Sequence, residues 1–178
     1  VGIVITGTLA GYLFSLRMYA LSEVKLDITE DLHFICQGFT RDVRTAAYVE
    51  VGQGSATSFI PVTNNALRCG NAIQIYPSGY TDVYVRYYHD PSELALKICS
   101  TDDTNPVVMI DSVTNEILFA VEDFRGNITT NEQVTANVAM TIQVYEPRIR
   151  GTTNRSTFKQ YYQMTARANR RTVLGYQR

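Results

Sequence analysis

The sequence has few of the residues on which catalysis and metal binding usually depend. Among 178 residues there are 2 His, 3 Cys and no Trp. No G-x-S-x-G elbow, P-loop, G-x-G-x-x-G loop or C-x-x-C pair occurs. Neither His33 nor His89 has a Cys, Asp or Glu at a metal-ligand spacing that rises above chance. We therefore expect no catalytic residue, no metal site and no cofactor, and a protein that is not an enzyme.

Charge is absent from the first sixteen residues, which read VGIVITGTLAGYLFSL before Arg17. As a helix this stretch would span about 24 Å, less than the ~30 Å core of a bilayer. It also has neither the basic start nor the cleavage site of a secretory signal. We interpret it as a membrane or polymer-core segment, with a buried core helix as the alternative. Because the chain opens inside this stretch without Met, we expect further residues before Val1.

Proline is absent from residues 1–46, and the apolar residues that follow the opening recur at steps of three and four. Charged side chains occupy the other positions. This spacing predicts an amphipathic helix that buries one stripe of side chains. The stripe consists of Leu21, Val24, Ile28, Leu32, Ile35, Phe39, Val43 and Ala46.

After Ala47 the apolar period changes from helical spacing to two, which predicts β-strands. Turn signals such as Pro77-Ser78-Gly79 and Arg125-Gly126-Asn127 separate the strands at short intervals, so antiparallel pairing is expected. The predicted strands are Tyr48–Val51, Ala72–Tyr76, Val83–Tyr88, Leu94–Cys99, Val107–Ile110, Glu116–Val121, Val134–Tyr145 and Phe158–Val173.

These elements predict an α+β fold in which one long N-terminal helix packs on a single antiparallel β-sheet. The helix would cover residues 1–46, with an apolar half at 1–20 and an amphipathic half at 21–46. Residues 47–178 would form the β head.

The order of these parts resembles the type IV pilin and pseudopilin family. The likeness lies in the opening VGIVITGTLAGYLFSL, in the continuation EVKLDITEDLHFICQGFTRDVRTA, and in the junction DLHFICQGFTRDVRTAAYV. The Phe-Thr-Leu-x-Glu opening that is typical of the family does not occur in this chain. The resemblance implies a pilin-like fold and a structural subunit that polymerises through its apolar helix into an extracellular filament. It also implies the inner membrane before assembly, the cell surface afterwards, and contact with a pilus or secretion machinery.

Two sets of residues would carry this function. In the filament core we expect Val1, Ile3, Val4, Ile5, Leu9, Leu13, Phe14 and Leu16. Between helix and head we expect Leu21, Val24, Ile28, Leu32, Ile35, Phe39 and Val43. Two alternatives stay open: a minor pseudopilin of a type II secretion system, and a membrane-anchored module that binds a ligand through its basic C-terminal region.

That basic region holds half of the Lys and Arg residues and no acid. It could contact the acidic part of another copy, bind nucleic acid, or be neutralised within its own head. Nucleic acid is not the partner that we expect. The region consists of Arg148, Arg150, Arg155, Lys159, Arg167, Arg170, Arg171 and Arg178.

The three cysteines allow three single pairings. Because a pilin-like head works outside the cytoplasm, where disulfides persist, we expect a bridge between Cys69 and Cys99. Cys36, beside the apolar stripe, is expected to be a buried free thiol.

Overall fold

A computed structural model describes residues 2–63, 65–78, 80, 82–103, 105–130, 137–146 and 160–169. One helix and ten strands lie within these ranges. They are α1 (Gly2–Thr45), β1 (Tyr48–Gly54), β2 (Phe59–Pro61), β3 (Cys69–Gly70), β4 (Ala72–Tyr76), β5 (Val85–Asp90), β6 (Ala95–Ser100), β7 (Val107–Ile110), β8 (Phe119–Glu122), β9 (Asn137–Glu146) and β10 (Gln160–Asn169).

The strands form two antiparallel sheets in the described part of the chain. The larger sheet has the order β2-β1-β4-β5-β6-β7, and the smaller has the order β10-β9-β8-β3. In the smaller sheet, β9 and β10 pair over ten residues without a register shift. The predicted single sheet is therefore wrong. Short connections correctly indicated antiparallel neighbours, but they do not reveal that β3 leaves β4 and pairs with β8 instead.

The side chains of α1 are described over two main stretches, residues 5–19 and 25–45. The first stretch is exposed throughout, and only the second carries buried residues. The prediction of one long helix packed on a single sheet is thus wrong in a second respect. Residues 5–19 do not pack on the head, and residues 25–45 pack against both sheets, so the fold is predominantly β with a helix seated on two sheets.

The core lies where α1 and the two sheets meet. It combines Ile35 and Phe39 of α1 with Ile73 and Tyr87 of the larger sheet and Met140 of the smaller one. Strand β9 shows how the alternation works, because Val138, Met140, Ile142 and Val144 are all at most 6% exposed. Burial of this shared core is what joins the sheets.

The two sheets also approach each other through backbone alone. A Cβ atom built on Gly70 of β3 would collide with the carbonyl oxygen of Gly52 in β1. A side chain at this position would therefore push the strands apart, which fixes glycine there.

Candidate functional site

The most unusual surface of the protein is the first stretch of α1, which we call the apolar segment (residues 5–19). All of its side chains are exposed. Ile5 is 60% exposed, Phe14 is 65% exposed and Tyr19 is 71% exposed. Monomeric soluble proteins rarely leave so large a continuous apolar surface in water.

The apolar side chains surround the segment on all sides. Ile5, Leu9, Tyr12, Leu13 and Leu16 follow one broad helical stripe, whereas Phe14 and Met18 lie on the opposite face at 100° per residue. Complete burial of one large apolar side chain contributes about 1.5–3 kcal/mol to the free energy of association. A flat partner would cover only one side, so full cover requires apolar neighbours around the helix.

The second stretch of α1 holds this segment on the head. Ile28, Leu32, Ile35, Phe39 and Val43 are between 0% and 9% exposed, which places this part of the predicted helix–head stripe in the core. The other two members of the stripe, Leu21 and Val24, have side chains outside the described residues.

Phe39 is the centre of this attachment. Its ring lies 6.0 Å from the ring of Tyr87 in β5, edge to face, and 6.0 Å from the ring of Phe119 in β8. One side chain of α1 therefore contacts both sheets at once. The Tyr87 hydroxyl then donates to Asp42 Oδ2 over 2.7 Å, which ties the larger sheet to the next turn of α1. Burial, with this hydrogen bond, raises the pKa of Tyr87 far above its usual value, so the hydroxyl stays protonated.

Of the residues expected in the filament core, the structure describes Ile5, Leu9, Leu13, Phe14 and Leu16, each at least 47% exposed. Val1, Ile3 and Val4 lie outside the described side chains. The described five share one uncovered helical segment and touch no part of the core cluster.

The basic C-terminal region is described at one residue only. Arg167 Nε lies 2.7 Å from Glu122 Oε2, an ion pair within the smaller sheet that raises the pKa of Arg167. For this residue the charge is neutralised inside the head. The other seven lie outside the described residues: Arg148, Arg150, Arg155, Lys159, Arg170, Arg171 and Arg178.

The expected Cys69–Cys99 bridge is not formed, and all three cysteines are free thiols. The two residues lie in different sheets, since Cys69 pairs with Ala120 in β8 and Cys99 pairs with Arg86 in β5. Cys99 packs instead against Ala72 and Tyr88. Burial raises the pKa of Cys36 and of Cys99, which makes both thiols poor nucleophiles.

The two histidines lie apart, one exposed on α1 and the other buried in β5. His33 is exposed on α1 and contacts Gln37 at 2.7 Å. His89 is 3% exposed, and its Nε2 atom has no hydrogen-bond partner among the described residues. Burial lowers the pKa of His89, so it is a neutral core side chain. The described ranges contain no group of three His, Cys, Asp or Glu side chains that could hold a metal ion.

The burial of Arg86, one of several buried charged side chains, was not recognised from the sequence. Arg86 is 5% exposed, and its Nε and Nη2 atoms donate to Gln74 Oε1 over 2.9 and 2.7 Å. Its Nη1 atom donates to the Ser55 carbonyl over 2.8 Å. The arginine thereby links the turn between β1 and β2 to Gln74 in β4 and holds that turn against the outer face of the larger sheet. Because its donors are directed at the protein itself, Arg86 is a structural group, not a binding group.

An open groove runs beside the second stretch of α1. One wall is the helix between His33 and Thr45, and the other is formed by Tyr87, Ile98 and Met109 of the larger sheet. The groove has a volume of about 800 Å³. At its mouth lies Phe34, which is 71% exposed and does not belong to the predicted core stripe.

Comparison with family models, with curated proteins and with solved structures finds no match. The likeness to pilins therefore rests on the residues of the sequence quoted above. Within the described part of the chain, no helix combines the length and apolar character needed to cross a membrane.

Proposed function

We propose that this chain is a structural subunit of a pilin-like extracellular filament and that it polymerises through the apolar segment. One observation carries the proposal. The same helix is clamped to two sheets by residues 28–43 and is uncovered on every side over residues 5–19. A subunit built in this way has a folded head and an unsatisfied apolar helix that projects from it.

The size of the apolar surface favours several neighbours over one. Ile5, Leu9, Leu13, Phe14, Leu16 and Met18 are 47% to 65% exposed. Burial of the exposed part of each side chain contributes about 1 kcal/mol to the free energy of association. Association costs at least about 4 kcal/mol in lost translational and rotational freedom. A single partner that covers half of the helix would gain about 3 kcal/mol and would not offset that cost, whereas cover on all sides would gain about 6 kcal/mol.

Identical copies are the neighbours that this chemistry favours. Each copy contributes the same apolar segment, so segments can cover one another. In a closed pair each helix has one neighbour, which covers only the side that faces it. A head-to-tail contact that does not close generates a helical fibre. With the sequence resemblance, we further propose that the chain resides at the inner membrane before assembly and at the cell surface afterwards.

Substitution of Ile5 tests the proposal. Full-length chain is purified in mild detergent, the detergent is removed, and polymer is measured by sedimentation and electron microscopy. Wild type is expected to form fibres and Ile5→Lys is expected to stay unassembled, because a charge buried among apolar helices is costly. The matched control is Ile60→Lys on β2, where the isoleucine is 69% exposed.

The control variant is expected to assemble like wild type, because Ile60 lies on the head. Normal fibres from Ile5→Lys would contradict the proposed role of the apolar segment. A wild-type chain that stays monomeric after detergent removal would contradict polymerisation itself.

A further inference from the structure

The solvent face of α1 carries a second stripe, which we call the outer stripe. Its members recur at steps of four and three, opposite the buried stripe. All are exposed, including Leu26 at 68% and Phe34 at 71%. The outer stripe consists of Tyr19, Glu23, Leu26, Glu30, Phe34, Gln37, Arg41 and Arg44.

Charge is separated along this face. The acidic band comprises Glu23 and Glu30 of the outer stripe together with Asp27 and Asp31 on the adjoining exposed face, whereas the basic end comprises Arg41 and Arg44 of the stripe. The helix itself gains nothing from the acidic band. Glu23 and Asp27 are four residues apart, as are Asp27 and Asp31, and like charges at this spacing destabilise a helix. The helix dipole acts only within the terminal turns, so it favours Arg44 but does not explain acids in the middle of α1.

The basic end keeps charge available for a partner. Arg41 Nε forms an ion pair with Asp42 Oδ1 over 3.1 Å. The Asp42 carboxylate also accepts a hydrogen bond from the Tyr87 hydroxyl, so it is shared between two donors. Arg44 is exposed and forms no ion pair within the described ranges. Both arginines line the groove beside α1, whose apolar mouth includes Phe34. An acidic helix with exposed apolar side chains would fit this surface.

We propose that the outer stripe is a self-recognition surface. The acidic band of one copy lies against the basic end of the next, with the helices parallel. The inference rests on the proposed function. Glu30 meets Arg41 when copies are displaced by 11 residues, and it meets Arg44 at 14 residues. These displacements correspond to an axial step of about 17–21 Å. Eleven residues are close to three helical turns, so the same face of each helix is presented again.

The orientation follows from the apolar segment. An antiparallel pair could match the same charges, but it would close at two copies. Its two apolar segments would then leave in opposite directions, and both would stay uncovered. In parallel copies every apolar segment projects in the same direction, so the segments can pack against one another and bury their apolar side chains.

The outer stripe sets register and does not supply most of the affinity. From Tyr19 to Arg44 it is about 38 Å long. Copies displaced by 11 to 14 residues keep only about 17–21 Å of the two stripes side by side. With a helix about 10 Å wide, such a contact buries roughly 350–400 Å² over two partners, far below the about 1,200 Å² of stable interfaces. Burial of the apolar segment drives assembly. The charged residues then favour one axial displacement among those that apolar contact would permit.

Charge reversal in the full-length chain tests this inference. The variants are Arg41→Glu/Arg44→Glu, Asp27→Arg/Glu30→Arg, and the combination of all four changes. Each double variant is expected to raise the critical concentration for assembly about tenfold at low salt. At the displacement of 14 residues it removes two weak exposed pairs, Asp27–Arg41 and Glu30–Arg44, and replaces them with two repulsions. The combination is expected to restore assembly. Salt at about 1 M should reduce the defect, because it shortens the Debye length to about 3 Å.

A matched control separates this effect from net charge. Lys25→Glu/Arg125→Glu makes the same change in charge but lies on the opposite face of α1 and in the turn after β8. It is expected to assemble like wild type. Thermal melts of each variant monitor folding.

Four outcomes would overturn the inference. If wild type forms fibres and Arg41→Glu/Arg44→Glu assembles at the same critical concentration, the outer stripe does not join copies. Failure of the four-fold variant to recover would assign the defect to something other than charge pairing. Growth that stops at a dimer would contradict a parallel contact that continues from copy to copy. Absence of any wild-type polymer would overturn the proposed function as well, which distinguishes it from the first result.

Discussion

The attachment of α1 to the head depends most on Phe39. This side chain is 0% exposed, and it lies between Tyr87 of the larger sheet and Phe119 of the smaller sheet, with 6.0 Å between ring centroids in each case. Replacing it with alanine would remove a ring that all three layers of the core share. We therefore expect Phe39→Ala to loosen the helix and to separate the sheets.

The magnitude follows from the burial and the ring contacts. Buried Phe→Ala substitutions cost about 3–5 kcal/mol, because apolar contact is lost and a cavity remains. The upper half of this range applies here, since each aromatic pair adds about 0.5–1.5 kcal/mol beyond its buried area. A domain of this kind is stable by about 5–15 kcal/mol, so the substitution removes a large fraction of the total.

Urea denaturation followed by far-UV circular dichroism measures the effect. A mild detergent present throughout would shield the apolar segment. Phe124→Ala is the matched control, because Phe124 is 80% exposed and its truncation should change the free energy of unfolding by less than about 0.5 kcal/mol. If Phe39→Ala cost less than 1 kcal/mol and behaved like this control, then the helix would not be held by the contacts described here.

Three further measurements address the core and the cysteines. Burial lowers the pKa of His89, so the unfolded chain binds more protons than the folded chain, and the stability of wild type should fall as the pH drops below about 6.5. The His89→Gln variant should show a flatter pH dependence, and equal pH profiles of the two proteins would contradict a buried neutral histidine. Lys97 lies 2.7 Å from Asp90 and holds the pKa of that carboxyl group well below its usual range. Lys97→Met should therefore lower the free energy of unfolding at neutral pH, and this loss should shrink below about pH 4 as Asp90 is protonated. A loss of stability that is independent of pH would refute the pairing. Thiol titration without reductant should count three thiols in denaturant, with half-buried Cys69 reacting before Cys36 and Cys99 in the native chain; a count of one would establish a disulfide.

The periodic parts of the fold could be predicted from the sequence. Strands β4 and β7 coincide with the predicted Ala72–Tyr76 and Val107–Ile110. The strands β5 and β6 are displaced from their predictions by one or two residues. These segments are long enough for alternation to show, and turn residues bound them.

The division into two sheets could not be predicted. Strands β2 and β3 contain three and two residues, too few for any periodic signal. Strand β3 is nevertheless the element that changes sheet, through Cys69 opposite Ala120 and Gly70 opposite Phe119. Pairing across some fifty residues depends on which apolar faces fit together in space, and alternation within each strand does not encode that choice. The Cys69–Cys99 expectation was wrong for the same reason, since it assumed one sheet.

The candidate site was partly visible in the sequence. The uncharged opening indicated an apolar segment, and the step of three and four indicated the buried stripe. The outer stripe could have been found by the same spacing, because Leu26, Phe34 and Arg41 keep to it. It was not recognised because a helix face that contains charge is ordinarily solvated. Only the structure shows that Phe34 is 71% exposed at the mouth of a groove that contains Arg41 and Arg44.

The two stripes of α1 give the helix two separate tasks. The buried stripe fixes the helix to the head through Phe39 and its neighbours, so the outer stripe and the apolar segment have a defined position relative to both sheets. A flexible attachment would let apolar segments associate at many displacements, since apolar contact has little directional preference. With the attachment rigid, a charge match near Arg41 can select one displacement for every copy. Loss of the Phe39 contacts should therefore produce irregular association even where the apolar segment is intact, and that disorder would separate the role of the clamp from the role of the segment.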